Sequence, residues 1–286
     1  MQHTGKILIA GATGALGMEI IKQLHQKNLP MRALTRSAKD NIELDQLTGD
    51  VFVGDAAKNE IDGATSGIST VISALGKSVS LFTPTEESFF ESDFLANKNI
   101  LDDAIKNGVK RFIYVSIKGA DTGYTIAQAH KMFEDALRES GIEYTIIRPV
   151  GFFSGLNDLA ILAKRKVIPI VGDGHARTNS IHHKDLAKAV VSFLDEGPEM
   201  IEVGGPKIHT RLEMAKMVEE KIGGKVVKVP EVFADFGVEL QKIFSEDIYN
   251  KLDYFKFVTT NDMIAEPFGS ITFREYLDSL DLEKLP

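Results

Sequence analysis

Lys6-Ile7-Leu8-Ile9-Ala10-Gly11-Ala12-Thr13-Gly14-Ala15-Leu16-Gly17 decides how this chain is read. A short apolar run rich in β-branched residues enters three evenly spaced glycines. Helical periodicity then follows through Leu16, Ile20, Ile21 and Leu24. Strand, tight turn and helix start in that order form the arrangement that holds a dinucleotide pyrophosphate. Gly11 is expected to permit the turn, Gly14 to let phosphate approach the backbone, and Gly17 to let the helix pack close to the sheet. Thr13, Ala15 and Leu16 complete the candidate cradle. The spacing is G-x-x-G-x-x-G rather than the commoner G-x-G-x-x-G, so its place between a strand and a helix carries the reading.

Outward from this stretch, strand-like runs alternate with helix-periodic ones. Met31–Thr35, Asp50–Gly54, Ser69–Ala74, Arg111–Ser116 and Glu143–Arg148 read as strands, and Glu86–Asn107 and Ile126–Ser140 as helices. Gly108 and Gly141 stand where left-handed caps are expected. After Pro149 the pattern loosens, with helices expected around Lys184–Leu194, Arg211–Ile222 and Ile243–Leu252. Glu199–Val203 and Val226–Val229 either return to the sheet or form a small second one. The expectation is an α/β fold: a Rossmann-type doubly wound parallel sheet over residues 1–150, with a smaller α+β C-terminal lobe over 151–286 that folds as one unit with it.

At 286 residues, 43% hydrophobic and 26% charged, the chain has the composition of an ordinary globular protein. A net charge of −8 argues against nucleic acid as the main partner. The absence of cysteine excludes disulfides, thiolate catalysis and thiolate metal sites. No apolar run approaches the ~20 residues that span a bilayer, and the first strand begins close to Met1. The cytoplasm is the expected compartment, with no membrane partner.

The second strand ends Leu34-Thr35-Arg36-Ser37, without the acid that binds a ribose 2′-hydroxyl in NAD-specific folds. A guanidinium suits a 2′-phosphate, with Ser37 and Lys39 as further candidates. NADP(H) is therefore favoured over NAD(H). Asp55, after the third strand, either accepts from the adenine amino group or caps a turn. Ser73-Ala74-Leu75-Gly76 ends the fourth strand, where small residues let backbone lie along the ribose and pyrophosphate.

Several segments together resemble the short-chain dehydrogenase/reductase superfamily: Gly11–Gly17, Val71–Gly76, Asn97–Leu101 with Gly108–Phe112, and Val115-Ser116. Ser140–Pro149 is similar to the atypical branch of NmrA-like regulators and isoflavone-type reductases, and Ser180–Ala187 resembles a later segment of that branch. The resemblance implies a Tyr-x-x-x-Lys motif on the helix after the fifth strand. The lysine holds the nicotinamide ribose, and the phenol exchanges a proton with substrate. Here the matching lysine is Lys131, and Ala127 stands in the tyrosine's place. The candidates left for the proton are Lys131 itself, Tyr124 seven residues earlier, and Ser116 at the end of the fifth strand. His182-His183 reads as structural or substrate-lining rather than metal-binding. Phe152 and Phe153 on one side, and Leu81-Phe82-Thr83-Pro84 on the other, either line an apolar substrate cleft or belong to the core.

The sequence thus points to an NADP(H)-dependent oxidoreductase that transfers hydride to or from a small molecule it does not identify, an apolar or aromatic one if these side chains line the cleft. Ala127 keeps a second reading open, a non-catalytic NADP(H) sensor that works through a regulatory protein partner. A sugar-nucleotide epimerase or dehydratase is the third.

Overall fold

The computed structural model describes residues 3, 5–37, 42–83 and 87–285. The apolar run of the opening stretch is β1 (Ile7–Ala10), buried along its whole length. Successive strand residues face opposite sides, so complete burial means that both sheet faces are covered. There follow α1 (Ala15–Gln26), β2 (Met31–Thr35), α2 (Ile42–Thr48), β3 (Val51–Val53), β4 (Thr70–Ser73), α3 (Ala96–Lys106), β5 (Arg111–Val115), α4 (Thr125–Glu139) and β6 (Glu143–Pro149). The later part of the chain adds α5 (Asn157–Lys164), β7 (Ile168–Val171), β8 (Arg177–Thr178), α6 (His183–Ser192), β9 (Met200–Gly204), β10 (His209–Thr210) and α7 (Arg211–Ile222). It closes with β11 (Val226–Val229), α8 (Glu231–Phe244), α9 (Glu246–Thr260), β12 (Glu266–Pro267) and α10 (Phe273–Ser279).

Among the described residues the main sheet has eight strands in the order β12-β9-β6-β5-β4-β1-β2-β3, and every neighbouring pair is parallel. This is the doubly wound α/β fold of Rossmann type. The chain winds outward from β1 through β2 to β3, then crosses back to β4 on the other side of β1. That reversal leaves a crevice at the carboxyl ends of β1 and β4, where such sheets take ligands. Ile7 and Ile9 pack with Ile20, Ile21 and Leu24 of α1 and with Leu186 and Val190 of α6. Leu8 and Ala10 pack on the opposite face with Ile100 and Leu101 of α3 and with Phe133 and Leu137 of α4. Each such aliphatic side chain, fully buried, contributes about 1.5–3 kcal/mol.

Of the two pieces whose destination was open, one returns to the sheet as β9. The other, β11, pairs with β7 in a separate two-stranded parallel sheet. A third cluster, around Phe153, Leu159, Ile168, Met214, Val218 and Phe273, holds α5, α7 and α10 together. Gly108 and Gly141 have φ of +72° and +75° just past α3 and α4, as cap residues should.

Two helix expectations need correction. The stretch expected as one helix over Glu86–Asn107 enters through a π-helical turn, Phe90–Leu95, before α3. Glu86 lies outside the described residues. The helix expected over Ile243–Leu252 is cut at Ser245, which is extended (φ −159°, ψ 112°) and whose hydroxyl accepts from the Ile248 amide. Ser245 with Glu246 and Asp247 is a helix-start signal, and it separates α8 from α9.

Candidate functional site

The turn after β1 is set by Gly11, whose φ of +77° an L side chain rarely adopts. A Cβ there would also fall 2.7 Å from the Ala74 carbonyl oxygen, because β1 and β4 are neighbours and their exit loops touch. Gly14 is the extended N-cap of α1, and its amide donates to the Gly11 carbonyl at 3.0 Å. The Met18 amide donates to the Gly14 carbonyl at 2.9 Å, so the amides of Ala15, Leu16 and Gly17 precede the helical ladder. No side chain caps this end, and its first turn carries no acid. Thr13, Gly14 and Ala15 are exposed, whereas Leu16 is buried against the sheet. An uncapped, exposed helix start with its positive dipole end outward fits a pyrophosphate. Gly17 plays a more local part than expected. A Cβ on it would lie 2.1 Å from the Gly11 carbonyl oxygen, so it lets the helix pack on the turn itself.

The loop after β4 is held from below. Ser73 is fully buried, and its hydroxyl donates to Asn97 Oδ1, while Asn97 Nδ2 donates to the Asp93 carbonyl. Ser73 therefore anchors the loop, leaving the half-buried Ala74 and Leu75 and the exposed Gly76 along the crevice. Asp55 caps its own turn, accepting from the Ala57 amide at 3.0 Å, with Lys58 Nζ 3.4 Å from its other oxygen. Arg36, at the tip of β2, is 64% exposed and ion-paired with Glu87. Ser37 shares reciprocal backbone–side-chain bonds with Thr35. Lys39 lies outside the described residues.

The three candidate proton carriers are each engaged elsewhere. Ser116 Oγ donates to Glu134 Oε1 at 2.7 Å. Glu134 is fully buried and receives two bonds from Arg148, at 2.8 and 2.6 Å, and one from Arg138 at 3.1 Å. That bidentate pair raises the Arg148 pKa, with Asp121 as its second partner. Lys131 is ion-paired with Asp135 one turn along α4. Tyr124 is the N-cap of α4, and its ring lies 4.8 Å from Phe257 and 6.1 Å from Tyr254, both on α9. Ala127 is 0% exposed, in a cluster with Phe89, Ile126 and Tyr254. Burial raises the Tyr254 pKa, and its hydroxyl donates to the Lys118 carbonyl at 3.4 Å. The aromatic ring over this part of α4 thus comes from the far end of the chain.

Sequence reasoning missed the polar cluster behind the β4 loop. Asp93, in the π-helical turn, is 1% exposed and accepts from the Lys77 amide at 2.6 Å, next to Gly76. Among the described residues its second oxygen has no hydrogen-bond partner, and it faces His130 Nε2 at 3.8 Å, while His130 Nδ1 meets the Tyr114 hydroxyl at 2.6 Å. Burial pushes Asp93 up to about 7 against the lowering pull of the Lys77 amide, and pushes His130 down to about 4. Side-chain chemistry gives no local signal for such a cluster. The π-helical turn that aims Asp93 inward is the kind of irregularity that accompanies functional sites.

The remaining candidates are structural in this arrangement. His182 Nδ1 accepts from the Lys184 amide at the start of α6. His183 stacks on Phe152 at 4.4 Å, and burial lowers it to about 4. Phe153 is core, against Phe273 and Tyr276. Leu81 and Phe82 lie in a loop pinned to Asp158 of α5 through the Leu81 amide and the Ser80 hydroxyl. Pro84 lies outside the described residues. A cavity of about 310 Å³ lined by His3, Lys27, Leu29 and Val191 sits where the chain enters its strands, away from the glycine turn. Sheets of this kind take their ligands at the opposite, carboxyl edge.

Comparison with known proteins finds relatives that bind nicotinamide dinucleotides. Residues 11–197 match the family model described as NAD(P)H-binding. The chain is 29% identical over 154 residues to the photosystem II assembly factor Ycf39 of Cyanophora paradoxa, covering 52% of this chain and 46% of that one. It is 27% identical over 270 residues to the chloroplastic divinyl chlorophyllide a 8-vinyl-reductase of Arabidopsis thaliana, covering 83% and 64%. The chain thus spans about half to two thirds of these two relatives. The NADPH-dependent quinone oxidoreductase of Escherichia coli, solved with NADPH, superposes with a TM-score of 0.76 at 21% identity, over 95% of this chain and 98% of that one. No described helix is long and apolar enough to cross a membrane. The chain belongs to the NAD(P)H-binding family and has the Rossmann-type fold of its structural neighbours.

Proposed function

We propose that the chain is an NADP(H)-dependent reductase of apolar, conjugated acceptors, of the quinone or activated-alkene kind. The observation that carries the reading is Ala127, buried among apolar side chains where the resembling enzymes hold a phenol. When bound, the reduced dinucleotide supplies hydride. A simple ketone that accepts hydride becomes an alkoxide and needs a proton donor at hand. A quinone becomes a phenolate, the conjugate base of a group with pKa of about 10, and water protonates it later. A site without a positioned phenol suits the second kind of acceptor.

The chain's own part is binding and orientation. The exposed amides at the start of α1 hold the pyrophosphate, and the Ala74–Gly76 loop lies along the ribose. Arg36 takes the 2′-phosphate. Its present pair with Glu87 is exposed and worth about 0–1 kcal/mol, so a doubly charged phosphate displaces it.

Calorimetric titration with NADP+, NADPH, NAD+ and NADH tests the binding reading. Arg36→Ala should weaken NADP(H) about 10–100-fold and leave NAD(H) unchanged, and Glu87→Gln should tighten NADP(H). Equal affinities for all four in the parent protein would end the NADP(H) preference. Bound NADPH that no quinone or enone oxidises would end the reductase reading.

A second reading, a sensor of NADP(H) acting through a protein partner, is supported by the engagement of Ser116 with Glu134 and of Lys131 with Asp135. It requires NADP+ and NADPH to differ in affinity or in the conformation they stabilise. The cytoplasm is proposed as the compartment, to be checked by fractionation.

A further inference from the structure

α8 turns its apolar side away from the protein. Val232, Phe233, Phe236, Leu240, Ile243 and Phe244 are each between 42% and 78% exposed, whereas Val238, on the opposite side of the helix, is buried. At about 100° per residue these six side chains fall within an arc of about 120°, and no charged residue lies inside it. By side-chain size the stripe presents on the order of 700 Å², more than the apolar patch usual on a monomer and close to one side of a standard protein interface.

We propose that α8 is the interface of a symmetric dimer, in which its exposed stripe packs antiparallel on that of a second copy about a two-fold axis that crosses the helix at the level of Val238. The spacing of the stripe argues for this occupant. Phe233, Phe236, Leu240 and Ile243 follow the alternating three- and four-residue steps of a coiled-coil seam. The order also reads the same from both ends. With Val238 as centre, Phe233 comes level with Ile243 of the second copy and Phe236 with Leu240, while Val232 and Phe244 close the two ends. A face complementary to itself in this way is what an isologous two-fold contact needs. The antiparallel arrangement also sets the positive end of each helix beside the negative end of the other.

Charge argues against the main alternative, a lipid surface. Membrane-lying helices are rich in lysine and arginine, whereas α8 carries Glu231, Asp235 and Glu239 against Lys242 alone, in a chain of net charge −8. Asp235 is itself turned to Lys256 of α9, so the polar side of α8 is already used within the monomer. Glu239 sits at the rim of the stripe, where two copies approach each other across the axis.

Sedimentation velocity from 1 to 200 µM tests the proposal. The parent protein should run at twice the monomer mass at the upper concentrations. Phe236→Asp and Ile243→Asp should each weaken the dimer at least tenfold, with circular dichroism and melting temperature showing the fold intact. Ile105→Asp, which changes an exposed apolar residue on α3, should leave the dimer unchanged. Glu239→Gln should tighten it.

The register can be read directly because the chain has no cysteine. A mixture of Phe236→Cys and Leu240→Cys proteins should form disulfide-linked dimers several-fold faster than either alone. A parent protein that stays monomeric at 200 µM would overturn the proposal, as would a monomer that floats with lipid vesicles. Efficient self-linking of Phe236→Cys alone would overturn the antiparallel register.

Discussion

Replacing Asp93 by asparagine should stabilise the protein at alkaline pH and do little near pH 4. The carboxyl is 1% exposed, and burial lifts its pKa from the ordinary 3.8 to about 7. The folded state therefore binds more protons than the unfolded chain between these values. Stability that is full below pH 4 is lost as pH rises toward 7, and the loss stays complete above it. At 1.36 kcal/mol per tenfold the gap corresponds to about 4 kcal/mol. Asparagine does not titrate, keeps an oxygen for the Lys77 amide and the Ser92 hydroxyl, and turns an amide toward His130 in place of the unpartnered oxygen. The hydrogen bonds that favour the charged oxygen are already contained in that shift, so asparagine, which stands in for the neutral carboxyl, recovers the whole of it. The net expectation is about 4 kcal/mol in favour of the variant at pH 8.

His130, held down to about 4, acts with the opposite sign. The unfolded chain binds the extra proton between about 4 and 6.5, so this group adds stability as pH rises through that window. It does so in both proteins and cancels from their difference. Urea midpoints followed by circular dichroism at half-unit steps from pH 4.5 to 8.5 give the difference curve. A curve that is flat with pH, or a variant weaker than the parent at pH 8, would refute the reasoning.

The two later glycines of the opening stretch should behave differently. Gly17→Ala puts a Cβ 2.1 Å from a backbone oxygen and should cost several kcal/mol of stability, read by melting temperature. Gly14→Ala meets only the Gly11 oxygen at 3.3 Å and should fold, but should bind dinucleotide at least tenfold more weakly in calorimetry. Ala127→Tyr, which restores the motif tyrosine, should destabilise the protein by about 1–3 kcal/mol through overpacking against Phe89 and Tyr254, and should not bring ketone reduction. Ketone turnover by a stable variant would contradict the packing described. Glu134→Gln should cost about 3 kcal/mol by leaving Arg148 with Asp121 as its remaining acid, which denaturation at neutral pH measures.

How much could be read beforehand depends on the range of the interaction concerned. β1, the glycine turn and α1 were legible because a short β-branched apolar run, helical periodicity and turn chemistry act over a few residues. The break at Ser245 was legible in principle too, since a serine before two acids is a local start signal. The three- and four-residue apolar spacing of α8 was legible as well, whereas the outward direction of its stripe was not, because periodicity does not say which side a helix buries. Gly11 takes the left-handed turn its spacing implies and Gly14 is the N-cap of α1, whereas Gly17 abuts the carbonyl of Gly11 in the turn. That distinction needed coordinates.

The candidate proton carriers show the other limit. Ser116 is bound to Glu134, which is bound to Arg148, and the three come from β5 and its exit, α4 and β6. Arg36 meets Glu87 across 51 residues, and Tyr254 covers Ala127 from α9. No window of sequence contains these pairs, because they form only when distant elements pack.

The sequence by itself determined that this chain builds a parallel α/β sheet with a phosphate-binding turn, since backbone geometry and local apolar spacing are enough for that. Tertiary structure decided what stands around the turn. It set Asp93 behind the β4 loop, an aromatic cluster over Ala127, and α8 with its apolar side in water. Burial and long-range packing set those surroundings, and with them the protonation of each group and the room left for a substrate.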